Sequence, residues 1–210
     1  MTAHAFDKTD MPIIVLAAGS SSRMRGADKL MQDIEGQPLL RRQVERASAV
    51  SSSVIVTLPA PPHPRYPALT ELDVDCVPVP EAALGMAHSL RAGLAALPEN
   101  AEHAMILLPD MPKVTAADIA QVVNAVTETS DALIWRGMTS KGEPGHPIVF
   151  HHSLFKNLSG LTGDQGGAQV VSQYNDNICF VPLPDDHARL DLDTPEAWHA
   201  WRRNQKAGST

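Results

Sequence analysis

Basic charge is in short supply in this 210-residue chain, with 17 Lys and Arg against 24 Asp and Glu and a formal net charge of −7. Nucleic acid and anionic membranes both favour a basic face, so neither is an expected partner. Cysteine is scarcer still, being confined to Cys76 and Cys179. The two fall inside expected strands without metal-ligand spacing, which reads as buried thiols of a reducing, cytoplasmic compartment. Long apolar runs are missing too. None is long enough to cross a bilayer, and the opening MTAHAFDKTD has no hydrophobic signal region.

Two phosphate-binding motifs are also absent. The P-loop needs Gly-x4-Gly-Lys-Ser/Thr, but Gly19 and Gly26 are too far apart and Lys29 precedes Leu30. The dinucleotide fingerprint needs Gly-x-Gly-x-x-Gly, and serines stand where its later glycines belong. Ser20, Ser21 and Ser22 lack a Gly-x-Ser-x-Gly elbow, which argues against a hydrolase triad. His151-His152 has no third ligand in view and reads as surface. His88 sits on a helical stretch, either lining a site or exposed.

What is present centres on Ile13 to Lys29, IIVLAAGSSSRMRGADK. An apolar run (Ile13, Ile14, Val15, Leu16) ends in six small residues, Ala17, Ala18, Gly19, Ser20, Ser21 and Ser22. The cations Arg23, Arg25 and Lys29 follow. This is the pattern of a buried strand entering a loop whose amides and cations suit a polyphosphate. An ordinary βα turn with solvated cations is the simpler alternative.

The rest of the chain alternates short apolar runs with amphipathic helical patterns. That is the signature of an α/β fold with a mostly parallel sheet flanked by helices. Residues 1–11 read as a flexible tail and 12–206 as a single domain. Strands are expected at Pro12–Leu16, Val54–Leu58, Val74–Val79, Met105–Leu108, Ala132–Arg136, Pro147–Phe150 and Ile178–Val181. Pro38 starts a helix carrying Leu39, Leu40, Val44 and Ala47 on one side. Met86, Leu90, Gly93, Leu94 and Leu97 recur at helical spacing. Thr115 and Asp118 form a capping box ahead of Ile119, Val122, Val123 and Val126. Thr194-Pro195 opens the last helix, with Trp198 and Trp201 turned inward. PAPPHPRYP, with five prolines in nine residues, reads as a stiff surface excursion, and KGEPGHP as a connection.

In open parallel sheets, ligands bind at the carboxyl ends of strands near the switch point. Asp110 follows the fourth expected strand in a Pro-Asp-Met-Pro corner. Asp191 and Asp193 precede the last helix and share a face if that segment is extended. Asp193 could instead serve helix-end electrostatics, and Asp110 a turn. Together the three offer hard oxygen ligands, and Mg²⁺ takes one or two carboxylates plus substrate phosphates. Such an acidic group facing a cationic anion loop suits phosphoryl or nucleotidyl transfer.

The pattern Leu16-Ala17-Ala18-Gly19-x-Ser-x-Arg23-Met24-x-Gly26-x-Asp28-Lys29 resembles the signature of the MobA-like NTP transferase family. Within it, the chain most resembles the molybdenum cofactor cytidylyltransferase branch. Gly85–Leu94, Leu108–Pro112, Gly145-His146-Pro147 and Asp191–Glu196 extend the likeness over nearly the whole chain.

The resemblance implies a three-layer Rossmann-like nucleotidyltransferase fold and Mg²⁺-dependent transfer of a nucleoside monophosphate, CMP from CTP, with pyrophosphate released. The acceptor it implies is phosphorylated molybdopterin, and a molybdoenzyme would receive the product. By the same resemblance Leu16 to Gly19 hold the base and ribose, and Ser20, Ser21, Ser22 and Arg23 the triphosphate. Lys29 neutralises the attacked α-phosphate. Asp110 with Asp191 or Asp193 holds Mg²⁺, and Pro80, Gly85, Met86 and Ser89 line the base. Gly145, His146, Pro147, Gly163 and Asp164 face the acceptor.

Ala18 in place of glycine points to the cytidylyl rather than the guanylyl branch. The family's substrate-loop arginine is absent, because Gln169 follows Gly167-Ala168. A sugar phosphate or methylerythritol phosphate acceptor, or a non-catalytic nucleotide-binding relative, therefore stand as alternatives.

Overall fold

The computed structural model describes residues 7–129, 131–163 and 167–207, with Lys206 and Ala207 described by backbone alone. The chain starts its sheet with β1 (Ile13–Leu16), whose first three residues are buried on both faces, as a central strand requires. A small hairpin, β2 (Asp33–Ile34) with β3 (Gln37–Pro38), leads into α1 (Leu39–Val50). Pro38 stands one residue outside that helix. Then come β4 (Val54–Pro59), β5 (Asp75–Val79), α2 (Met86–Ala95), β6 (His103–Leu107) and α3 (Ala116–Glu128). The chain continues through β7 (Ile134–Met138), β8 (Pro144–His151), α4 (Phe155–Ser159), α5 (Ala168–Gln173), β9 (Ile178–Pro182) and α6 (Pro195–Ala207).

The seven-stranded sheet has the order β5-β4-β1-β6-β8-β7-β9. β1 pairs in parallel with β4 on one side and β6 on the other. The chain therefore reverses its direction of travel across the sheet between those neighbours, which places the switch point at the ends of β1 and β6. Among the described strands of this sheet, β8 alone runs antiparallel to its partners, β6 and β7.

The sheet is covered on both faces. Ile13 and Val15 pack with Leu40, Val44 and Ala47 of α1 and Ile119 and Val122 of α3. Ile14 packs with Leu90 and Leu94 of α2, Leu158 of α4 and Val170 of α5. The alternation of β1 side chains thus divides the two helix layers. A smaller cluster joins Met24, Leu39, Leu192 and Trp198 beside the opening loop.

Three expectations need correction. Cys76 is exposed and Cys179 half-buried, because their strands β5 and β9 are the two sheet edges. Part of KGEPGHP is strand rather than connection. Pro144 begins β8, and Pro147, which has no N–H to pair, sits where the β7/β8 register shifts. The stretch read as a tail is partly held: Thr9 bridges Ser51 and donates its N–H to the Val50 carbonyl at 2.9 Å. Residues 1–6 of that stretch lie outside the described residues.

Candidate active site

β1 and β6 end side by side, so the loops that follow them face one another. After β1, Ser21 and Arg25 both take left-handed backbone conformations (φ 53° each), and Gly26 follows at φ 93°. Non-glycine residues held there store strain, a common mark of a loop shaped for a ligand. Asp28 then caps a short turn, accepting from the Leu30 N–H at 3.0 Å, and the turn delivers Lys29 to the end of β6.

Lys29 Nζ donates to Asp110 Oδ2 at 2.5 Å and to Asp193 Oδ1 at 2.6 Å. Arg23 reaches the other oxygen of Asp193 at 2.5 Å. Burial works against the Lys29 charge, but the two carboxylates outweigh it and hold the ammonium above its usual pKa. Asp193 is likewise held low: burial raises it, and hydrogen bonds from Lys29 and Asp191 more than compensate. Asp191 is raised, first by burial and then by its hydrogen bond to Asp193 and that residue's charge.

Two connections fix this acidic cluster. Leu192, 1% exposed, points into the cluster with Met24 and Trp198. Its flanking aspartates therefore turn the other way, towards Lys29 and Asp110, as an extended segment requires. The Leu192 N–H also donates to the Asp110 carbonyl at 3.1 Å. From α1, Gln43 donates to the Met111 carbonyl at 2.5 Å, and Arg46 to the carbonyls of Pro112 and Val114. The corner after β6 is thus held from below.

A cavity of about 270 Å³ opens over these residues. Leu16, Gly19, Ser20, Lys29, Gly85, Met86, Ser89 and Asp110 line it, eight of the expected positions. Met86 is 45% exposed at its mouth, so this member of the helical apolar pattern serves the cavity rather than the core. Other expected contacts lie elsewhere. Ala17 and Ala18 are buried beneath the loop, Ser22 is exposed, and Pro80 is exposed beyond the end of β5. Ala82 and Ala83 take the place expected of Pro80, with Leu30, Leu108 and Pro109 completing the lining. A short turn at Ala82–Leu84, invisible to periodicity, brings those alanines in.

Beside this cavity lies a second of about 220 Å³, walled by apolar side chains including Leu90, Ile148, Phe150 and Val171, with Arg136 and His146 among them. A groove lined by Gly145, His146, Arg136 and Arg189 connects it to Asp110 and Asp191. Arg136 is held below its ordinary pKa by burial and then by the charge of Arg189, so two guanidiniums converge here. Pro147 is buried, and Gly163 accepts the Ala87 N–H at 3.1 Å. Asp164, expected at the acceptor, lies outside the described residues.

A buried cation that sequence reading passes over is Arg65, inside the proline-rich PAPPHPRYP. The prolines around it are largely exposed, as expected of an excursion, but Arg65 itself is buried against the β1 loop. Its guanidinium grips both Asp28 oxygens, at 2.7 and 2.8 Å. No local pattern announces it, since its partners are far away in sequence.

A switch-point cavity holding a cationic small-residue loop against a carboxylate cluster defines the nucleotidyltransferase class. The MobA-like NTP transferase domain family matches residues 13–178, and the chain belongs to that family. A probable molybdenum cofactor guanylyltransferase of Synechococcus elongatus is 35% identical over 198 residues, 89% of this chain and 95% of that protein. The bifunctional protein GlmU of Burkholderia thailandensis is 30% identical over 119 residues, 56% of this chain but only 26% of that longer relative. Among solved structures, Rv0371c of Mycobacterium tuberculosis H37Rv superposes with a TM-score of 0.77 at 26% identity, covering 93% of this chain and 99% of that one.

Proposed function

We propose that this nucleotidyltransferase moves CMP from CTP onto the phosphate of molybdopterin, releasing pyrophosphate. The observation that carries the transfer chemistry is the contact of Lys29, which lines the cavity beside Asp110, with both Asp110 and Asp193. A fixed cation beside the α-phosphate offsets the charge that builds as the acceptor oxygen attacks, and the cavity walls hold attacking and leaving oxygens in line. Gly19 and Ser20 offer backbone close to the triphosphate. The acceptor phosphate fits the groove where Arg136 and Arg189 converge, which supplies the cations that the substrate loop lacks.

Among the described residues no three carboxylate, histidine or cysteine side chains form a ready-made metal cage. That suits Mg²⁺, which takes few protein ligands and completes its shell with phosphates and water. Asp110 Oδ1 is buried without a hydrogen-bond partner, an acceptor left open for a cation. Asp110 with Asp191 or Asp193 would hold the metal, which when bound neutralises phosphate charge.

The preference for CTP rests on Ala18. Its methyl is 3% exposed beneath the loop and outside the cavity lining, so it acts through the backbone's position. GTP is the second reading, favoured by the name of the 35% identical relative.

Labelled CTP and GTP offered with molybdopterin and Mg²⁺ test both readings. Only one triphosphate should drive turnover, and that one should raise the melting temperature selectively, because a ligand at a hundred times its Kd adds about 2.7 kcal/mol to the folded state. Lys29→Ala and Asp110→Asn should each abolish pyrophosphate release with the fold retained. Full activity in either would remove the proposed chemistry.

A further inference from the structure

The loop between β1 and Lys29 has two ends, and one side chain from a distant segment joins them. Arg65, 1% exposed, donates from Nη1 to the Ala17 carbonyl at 2.6 Å, where the loop leaves the sheet. Its Nε and Nη2 close a fork on Asp28, at 2.8 and 2.7 Å, immediately before Lys29. Nη2 also reaches Ser21 Oγ at 3.2 Å. Ser21 Oγ in turn accepts the Lys29 N–H at 3.2 Å and donates to Asp28 Oδ1, also at 3.2 Å. The tie on the Lys29 N–H thus runs through Ser21 to one guanidinium that does not line the cavity, and the same guanidinium holds Asp28, the residue before it.

We propose that Arg65 is a positioning residue for nucleotidyl transfer: it clamps the two ends of the nucleotide loop and so sets where Lys29 stands relative to Asp110. The inference rests on the nucleotidyltransfer reading of the same site. Three features point to placement rather than to binding or general stability. The fork is bidentate, a geometry that fixes orientation as well as distance. Its partners Ala17, Ser21 and Asp28 lie on the loop and do not line the cavity. And Ser21, whose hydroxyl it touches, has a left-handed backbone, a conformation that needs outside support to persist. Asp28 is held ionised by the same arrangement: burial pushes its carboxyl up, and the Arg65 hydrogen bonds and charge bring it below the ordinary value.

The test compares full-length wild type, Arg65→Gln, Arg65→Lys and Asp28→Asn. Pyrophosphate release is measured at saturating CTP and GTP with Mg²⁺ and acceptor, normalised to folded protein. Amide hydrogen exchange is followed in parallel. A displacement of reacting groups by about 1 Å costs on the order of 100-fold, so Arg65→Gln should lose roughly that in kcat, with KM for the triphosphate changed far less. Arg65→Lys keeps the charge without the fork and should fall between. Combining Arg65→Gln with Asp28→Asn should cost little more than either alone, as for two members of one unit. Exchange should quicken over residues 18–30 while the strands of the sheet stay protected.

Variants with a lowered melting temperature but wild-type kcat per folded molecule would overturn the proposal and leave Arg65 a structural residue. Should Arg65→Gln fail to fold, Arg65→Lys carries the same comparison. If wild type itself turns over neither triphosphate, the functional reading fails instead. The exchange pattern then decides separately whether Arg65 organises the loop, and unchanged exchange over 18–30 would overturn it.

Discussion

Gly145 shows how one residue can hold a strand and a turn at the distance a site needs. A Cβ built there would lie 1.7 Å from the Ala188 carbonyl oxygen and 2.5 Å from its carbon, both backbone atoms with nowhere to go. The neighbouring His146 N–H donates to that same carbonyl at 2.8 Å, and the Gly145 carbonyl accepts from Arg136 Nε at 2.9 Å. The glycine thus lets the segment leading to Asp191 and Asp193 close on β8. Gly145→Ala should cost about 3 kcal/mol by overpacking. Gly142→Ala, at φ 82° but in open space, should cost about 1 kcal/mol for its left-handed backbone. Urea denaturation of the two variants checks the ranking, and equal costs would show that the close approach is not what Gly145 provides. Sequence alone reads Gly145 as an acceptor contact, since the packing partner is a carbonyl far along the chain. Asp110 was legible because it closely follows a strand end, Lys29 because it closes the cationic loop after β1, and Asp193 because it stands just before the local start signal of α6. Arg65 and Arg136 were not, because their meaning depends on which strands become neighbours.

Elements whose start signals are local came out as the sequence implies. Thr115 Oγ1 accepts the Asp118 N–H at 3.2 Å, and Asp118 Oδ2 accepts the Thr115 N–H at 2.8 Å, which completes the capping box of α3. Thr194 Oγ1 accepts the Ala197 N–H at 3.2 Å, the first turn of α6. Trp198 is buried as expected, and Trp201 is half-covered beside it. Asp118 does more than cap, since His187 Nδ1 lies 2.8 Å from the same oxygen and ties α3 to the segment before Asp191. Thr115→Ala should therefore cost about 1 kcal/mol, the usual value of a lost cap. Asp118→Ala should cost more, because it also strips the buried partner from His187. Both should leave kcat near wild type, since α3 packs against the sheet and does not line the cavity. Denaturation curves and turnover measured together check this, and a larger loss from Thr115→Ala than from Asp118→Ala would reverse the argument. What stayed hidden at this scale was the first part of β8, Pro144 to His146, which was read as connection because Pro144 and Gly145 argue against a strand until the β7/β8 register shift makes room for them.

At the scale of the molecule, the layered α/β class was legible from alternating apolar runs, whereas strand order and the reversal of β8 were not, because pairing is long-range. That reversal has a thermodynamic consequence at His146. It lies on β8, where the antiparallel strand meets the parallel half of the sheet beside Asp110. Its Nδ1 is buried without a partner. Burial, then the nearby Arg136 charge, lower its pKa from 6.5 to about 4, against a smaller opposing pull from Asp110. Between those two values the unfolded chain binds a proton that the folded chain refuses. Stability therefore rises with pH through this window, is complete above about 6.5, and is lost as pH falls towards 4. The depressed carboxylates Asp28 and Asp193 act below the window; the lowered His63, His103 and His151 add to the same slope and the raised Asp191 opposes it, so a variant is needed to isolate this imidazole. At about 1.4 kcal/mol per pH unit, moving from pH 7 to pH 5 should cost wild type about 2 kcal/mol through this residue. His146→Gln, which does not titrate, should lack that component, and its urea midpoint should fall correspondingly less over the same interval. If both proteins lose stability in parallel, the imidazole takes up its proton freely in the folded state, and the junction between β8 and the parallel half of the sheet is more open to water than its geometry implies.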